Sequence, residues 1–258
     1  MSKKKQRHDN IMRVLSVNPT TRVNALAGEL GVSAETVRRD LSELDRTGQL
    51  NRTYGGAVLN KTIEPALSER SKLHIKARET IAQLAVEHIG EANSLFIGAG
   101  ATLLHFARVL KEIDRKITIL TPAFSIATEL SHNPLLEIIF LPGVFEPREG
   151  MVVGGETLNF ITKFRTQIAV VGASGVDHLG ISEFLPNAAQ IYTAMINNAI
   201  ETLVLADSSK FGIRSLQETT PLKHNLCLIT EISPDQSMSQ AISDSGAKLL
   251  FPQMNKFP

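Results

Sequence analysis

The sequence predicts an α/β chain in two parts. A winged helix-turn-helix is expected at residues 1–59, a linker at 60–73, and a mostly parallel, doubly wound α/β domain at 74–258. Three observations carry this. Residues 7–46 hold three short amphipathic helical patterns, broken at Pro19 and at Gly31-Val32-Ser33. From Lys76 onward, short apolar β-branched runs alternate with amphipathic stretches, as expected of strands covered on both faces by crossover helices. Charge is also divided. Residues 1–60 carry ten Lys/Arg against six Asp/Glu, a net of +4, which leaves 17 against 20, a net of −3, for the rest.

In the first part, Arg7 to Ser16 forms a helical pattern with Ile11, Val14 and Leu15 on one side. Arg22 to Leu30 forms a second, with Val23, Leu26, Ala27 and Leu30 inward and Thr20 or Thr21 as its cap. Gly31-Val32-Ser33 is the short glycine-containing turn that joins two helices of a DNA-reading pair. The third helix, Val32 to Leu44, starts with Ser33 at the N-cap and stacks Val37, Leu41 and Leu44 into one stripe. Gly48 is expected to end it. QLNRTYGGAVL then supplies two extended runs about Gly55-Gly56, the composition of a hairpin wing.

The third helix taken alone reads equally as a surface helix with a basic face; its flanks decide otherwise. Guanidinium forks and hydroxyls suit base edges and phosphates in a major groove. Ser33, Glu35, Thr36, Arg38 and Arg39, with Arg52, Tyr54 and Gly55 of the wing, are therefore the candidate DNA-binding residues, and double-stranded DNA is the expected partner. Lys3-Lys4-Lys5 reads as a disordered solubilising tip rather than a specific DNA arm.

The second part reads as IAQLAVEHI (81–89) helix, SLFIG (94–98) strand, ATLLHFARVL (101–110) helix, KITILT (116–121) strand, FSIATEL (124–130) helix and LEIIFL (136–141) strand. After a glycine-rich passage come the strand IAVVGA (168–173), the helix AAQIYTAMINNAIE (188–201), and the strands TLVLAD (202–207), LCLIT (226–230) and KLLF (248–251). Such sheets bind ligands beyond the C-terminal ends of their strands. Three strand ends carry suitable punctuation: Gly98-Ala99-Gly100-Ala101-Thr102, Gly172-Ala173-Ser174-Gly175-Val176-Asp177, and Asp207-Ser208-Ser209-Lys210-Phe211-Gly212. Small residues let backbone amides reach an anion, and Lys210 adds a point charge. Each segment alone reads as well as a turn or cap.

Arg7, Ile11, Leu15, Ser33, Thr36, Val37, Arg38, Arg39, Asp40 and Leu41, with the wing Arg52-Thr53-Tyr54-Gly55-Gly56-Ala57, resemble the signature of the DeoR family of bacterial transcriptional repressors. GASGVD (172–177), AMINNAIETLVLAD (194–207) and DSSKFG (207–212) are similar to motifs of that family's C-terminal domain, so the resemblance spans roughly residues 5 to 251. It implies a body that resembles ribose-5-phosphate isomerase in fold and senses a phosphorylated sugar or related anion. Gly98, Ala99, Gly100, Ala101, Thr102, Gly172, Ser174, Tyr192, Asp207 and Lys210 are then the candidate effector-binding residues.

This chain departs from the pattern at four places. Gly98 stands where an aspartate is common, and Ala101 where a hydroxyl is usual. Tyr192 or Thr193 stands in for a lysine, and Leu141-Pro142-Gly143 replaces Gly-Gly. The missing carboxylate is the natural acceptor for sugar hydroxyls. Arg148, in FEPREG, reads as a solvated loop residue.

The lone cysteine, Cys227, sits in the apolar run LCLIT and fits a buried thiol in a reducing compartment. No apolar run reaches the length of a membrane span, and the basic N-terminus lacks the apolar core of a signal peptide, so the cytoplasm is expected. Seven scattered histidines show no metal-ligand spacing, and no cofactor is expected. One alternative is an isomerase-like enzyme fused to a DNA-binding head. It needs paired carboxylates, whereas only Asp177, Glu183 and Asp207 stand near the strand ends. The other is a DNA-binding protein whose body only oligomerises. The reading carried forward is a ligand-controlled repressor of carbohydrate genes, acting as a homo-oligomer, dimer or tetramer, because one short recognition helix needs a two-fold partner.

Overall fold

The computed structural model describes residues 3–17, 20–46, 50–53, 56–59 and 67–252. It divides into two compact units, Met1–Glu64 and Pro65–Pro258.

The first unit runs α1 (Lys3–Val17), β1 (Thr20–Arg22), α2 (Val23–Leu30), α3 (Ala34–Arg46), β2 (Leu50–Thr53) and β3 (Gly56–Leu59). Ile11, Val14, Val23, Leu26, Val37, Leu41 and Leu44 form its core; each such side chain contributes about 1.5–3 kcal/mol on burial. Gly31 takes φ 62°, and the Val32 N–H donates to the Ala27 carbonyl at 3.1 Å. This left-handed closure stops α2 and swings the chain into α3. The wing is antiparallel, from Leu50↔Leu59 to Thr53↔Gly56. Its tip, with Tyr54 and Gly55, lies outside the described residues, as does Gly48.

Thr20 and Thr21 do not cap α2; they form β1, which pairs with β3 from Thr20↔Val58 to Arg22↔Gly56. The wing's open edge needed a partner, and β-branched threonines suit a strand better than a cap.

The second unit runs α4 (Leu67–Arg70), α5 (Ile75–His88), β4 (Ser94–Ile97), α6 (Ala101–Leu110), β5 (Ile117–Thr121), α7 (Phe124–Leu130) and β6 (Leu136–Phe140). The hairpin β7 (Val144–Glu146) and β8 (Met151–Val153) follows, then α8 (Gly155–Ile161), β9 (Thr166–Val171), β10 (Gly175–Asp177), β11 (Gly180–Glu183) and α9 (Pro186–Asn197). The chain closes with β12 (Ala199–Leu205), a 3₁₀ turn at Ser208–Lys210, β13 (Gln217–Pro221), β14 (Leu226–Ile229), α10 (Gln236–Asp244) and β15 (Lys248–Leu250).

Seven strands form one sheet in the order β15-β14-β12-β9-β4-β5-β6, and all its pairs are parallel. From β4 the chain steps outward to β5 and β6, then returns to β9 and steps the other way. Right-handed crossovers in opposite directions place their helices on opposite faces, which is what doubly wound means. The order reverses between β4 and β9. A smaller antiparallel sheet, β10-β11-β13, stands beside the large one. No helix among the described residues is long and apolar enough to cross a membrane.

Several boundaries differ from the sequence reading. The helix expected over 188–201 ends at Asn197, and Ala199 already belongs to β12. The Asn198 side chain donates to the Ala194 carbonyl at 2.7 Å and closes the last turn. Within the expected linker, Leu67–Arg70 is helical and joined to the body: the Leu67 N–H donates to the Arg148 carbonyl at 3.0 Å. Arg148 is half-buried rather than solvated, with its guanidinium 5.5 Å from the Phe184 ring centroid. The glycine-rich passage contains a hairpin and a helix.

Candidate functional site

In the first unit, the Ser33 hydroxyl accepts the Thr36 N–H at 3.2 Å and lies 2.9 Å from the Thr36 hydroxyl. This cap fixes where α3 begins. Burial of Val37, Leu41 and Leu44 then turns Glu35, Arg38 and Arg39 outward, with side chains 64%, 53% and 82% exposed. Arg38 Nη1 lies 3.5 Å from Glu35 Oε2, and Arg39 Nε 3.7 Å from Glu35 Oε1. Exposed pairs of this kind contribute under about 1 kcal/mol and yield readily to phosphate oxygens. Arg52 lies on β2, paired with Ala57.

Asp40 is a buried carboxylate of α3, 3% exposed. Both its carboxylate oxygens accept from Arg7, Oδ1 from Nη2 at 3.0 Å and Oδ2 from Nε, and His8 Nε2 lies 3.1 Å from Oδ1. Burial pushes this carboxyl upward, but the hydrogen bonds from Arg7 and His8 outweigh it and hold the group below the usual carboxylate range.

In the second unit, β12, β9 and β4 are neighbours in one parallel ladder. Their following segments, which hold Lys210, Gly172 and Gly98, therefore end side by side at the switch point of the sheet. The Gly98 N–H donates to the Val170 carbonyl at 2.9 Å. The Ala99 N–H donates to the Tyr192 hydroxyl at 3.1 Å, and that hydroxyl donates to the Ala99 carbonyl at 2.6 Å. Those two amides are used inside the fold. The backbone donors left to the segment are those at the start of α6, where Gly100 provides no side-chain cap. Gly100 and Thr102 are half-exposed, while Ala99 and Ala101 are buried.

The buried Ser174 hydroxyl donates to Glu183 at 2.7 Å. Asp207, 1% exposed, caps the 3₁₀ turn through the Ser209 N–H at 3.2 Å, and its Oδ2 lies 3.8 Å from Arg78 Nη2. Ser208 is engaged by Glu231, its N–H donating to Oε2 at 3.0 Å. Lys210 is half-buried, its N–H donating to the Asp207 carbonyl at 3.0 Å. Of the two positions left open by the sequence, Tyr192 lies against the Gly98–Ala99 segment; the Thr193 hydroxyl donates to the Thr219 carbonyl at 2.8 Å instead.

Sequence reasoning missed two arginines. Arg78, 4% exposed, donates from Nη1 to the Arg70 carbonyl at 2.6 Å, and Arg70 pairs with Glu149. Buried charge gathered near the strand ends marks a candidate functional site. The signal was present: Arg78 stands in register with Ile81, Ala82 and Ala85 on the buried stripe of α5.

Two family profiles match the chain. One, the DeoR-like helix-turn-helix domain, covers residues 7–63, and the other, the DeoR C terminal sensor domain, covers residues 73–232. The chain belongs to the DeoR family. As a DeoR-family member it is a DNA-binding transcriptional regulator and not an enzyme, so the isomerase alternative falls. It is 28% identical to the glycerol-3-phosphate regulon repressor of Escherichia coli, over 96% of this chain and 98% of that one. It is 26% identical to the transcriptional repressor CsqR of the same organism, over 96% and 95%. With the lactose phosphotransferase system repressor of Lactococcus lactis it shares 32% identity over 81% and 83%. Against the solved ribose 5-phosphate isomerase of Methanocaldococcus jannaschii it gives a TM-score of 0.37 and 19% identity, over 52% of this chain and 53% of that one.

Proposed function

We propose that this DeoR-family regulator represses carbohydrate genes by laying α3 in the major groove of an operator, and that a phosphorylated sugar or related anion controls it from the strand-end crevice of the body. The observation that carries the second half is the meeting of the Gly98–Thr102, Gly172–Ser174 and Asp207–Lys210 segments at the switch point of one sheet. Amides at the start of α6, the Thr102 hydroxyl and the Lys210 ammonium are groups that bind anions. The names of two relatives, a glycerol-3-phosphate regulon repressor and a lactose phosphotransferase system repressor, agree with control of sugar metabolism. Ser33, Glu35, Thr36, Arg38 and Arg39, with Arg52, Tyr54 and Gly55 of the wing, form the DNA-reading surface. The protein works in the cytoplasm as a dimer or tetramer, since one recognition helix reads one half-site.

Two titrations test this. Arg38→Ala with Arg39→Ala should abolish operator selectivity, with a base-reading arginine contributing about 1–3 kcal/mol; unchanged affinity would remove α3 from the interface. Lys210→Ala should weaken the effect of phosphate esters on operator binding by tenfold to a hundredfold, or about 1.5–3 kcal/mol. Identical titrations for wild type and variant would place the effector elsewhere.

A further inference from the structure

Two departures from the family pattern, Gly98 and Tyr192, turn out to be one structural arrangement. The Tyr192 side chain is buried, 3% exposed. A Cβ built on Gly98 would lie 2.7 Å from Tyr192 Cε1, 3.2 Å from Cζ and 3.3 Å from Leu103 Cδ1. Gly98 is not among the glycines with positive φ. The ring, not the backbone, demands a glycine there.

The consequence for recognition is direct. Position 98 has no room for the carboxylate that would accept hydrogen bonds from sugar hydroxyls. The Tyr192 hydroxyl does not take that role: it is buried, its oxygen already accepts the Ala99 N–H, and its proton goes to the Ala99 carbonyl. Burial, reinforced by the negative charges of Glu183 and Glu149, holds the phenol well above its ordinary range, so it stays neutral. A neutral, fully engaged ring thus fills the place beneath the β4–α6 segment. The first amides of α6 lack a side-chain cap, and Thr102, with Lys210 at the neighbouring strand end, is partly exposed; these are group types that bind an anion.

We propose that Tyr192 is the specificity-determining residue of the effector site, closing the floor beneath Gly98 so that the crevice takes compact phosphate esters and excludes the extended polyol of a pentose or hexose phosphate. This rests on the assignment of the strand-end crevice as the effector site. Tyr192 fixes ligand size by occupying space, with the Ala99 hydrogen bonds holding the ring in place.

The test uses the full chain, with thermal shift and operator-release titrations against inorganic phosphate, glycerol 3-phosphate, ribose 5-phosphate and fructose 6-phosphate. Wild type should respond to glycerol 3-phosphate at a concentration at least about tenfold lower than to either sugar phosphate. Tyr192→Ala should level that ranking, whereas Tyr192→Phe, which keeps the ring, should preserve it. A Tyr192→Ala protein that ranks the ligands as wild type does would overturn the proposal. A ligand-free arm checks the fit itself: Gly98→Ala should lower the melting temperature in wild type and far less in the Tyr192→Ala background. Equal losses in both would remove the steric premise. Should no phosphate ester act on wild type or on Tyr192→Phe while the operator is still bound, the effector-site reading fails and this inference with it. A response with an unaltered ranking defeats this inference alone.

Discussion

Arg7 on α1 holds Asp40 on α3 through both carboxylate oxygens, so the helix that leads the chain fixes the middle of the recognition helix. Asp40 has only 3% of its surface exposed, and removing one partner of a buried pair leaves an uncompensated charge. Arg7→Met should therefore destabilise the first unit by about 3 kcal/mol, read as faster amide hydrogen exchange across α1 and α3. Native exchange rates in the variant would show that the pair is ornamental.

The same pair sets a pH response. The Asp40 carboxyl is depressed in the folded state, so its stabilisation is complete above the ordinary carboxylate range and is lost as pH falls through the depressed value. Acid should loosen the first unit of wild type, and an Asp40→Asn variant should lack this component. The check is the pH dependence of exchange-derived stability in both proteins.

Glu35 stands between Arg38 and Arg39 on the exposed side of α3. Glu35→Gln removes a negative charge from the surface proposed to meet DNA phosphates, and should tighten binding to non-operator duplex by about threefold to tenfold at low salt, with the gain fading as salt rises. Fluorescence anisotropy across a salt series decides it. A selective loss on the operator alone would mean that Glu35 itself reads a base.

Arg78 and Asp207 face each other with 4% and 1% of their surfaces exposed. Arg78→Met should cost the second unit about 3–5 kcal/mol, a fall in melting temperature of roughly 10 °C for a unit of this size. Adding Asp207→Asn should recover part of it. Calorimetry that finds the two losses simply additive would show that the residues act apart.

Cys227 lies fully buried in β14. Burial, with Glu201 nearby, pushes its thiol up to about 12, far from the thiolate form that reacts. Alkylation by iodoacetamide at about pH 8 should proceed only when the body opens, and should accelerate with denaturant. Prompt labelling of the native protein would contradict this packing.

Local patterns specified much of the structure. The inward residues of α2 and α3, the cap at Ser33 and the seven main-sheet strands all lie in sequences whose periodicity fits one environment. Elements that depend on distant partners were hidden. The strands β7 and β8, and the sheet β10-β11-β13, are three to five residues long, and all but the apolar β8 are mixed in polarity. Their pairing depends on close approaches such as Gly180 on the Thr220 carbonyl, where a Cβ would lie at 2.3 Å. In the crevice, strand order brought the three punctuated segments together as expected. Periodicity could not tell which of Tyr192 and Thr193 would turn toward Gly98, because both lie on a helix packed on two sides.

The fit between Gly98 and Tyr192 also imposes an order on descent. With any side chain at 98, a ring at 192 in its present position meets a Cβ at 2.7 Å, so arrival of the tyrosine first would force one of the two to shift. A path that first removes the side chain at 98 avoids that clash and opens a void for the ring. Once filled, the void bars return: any reversion at 98 meets the ring until 192 has changed again. The two positions thus act as a ratchet, and lineages that share this glycine should carry a large ring at 192 as its companion.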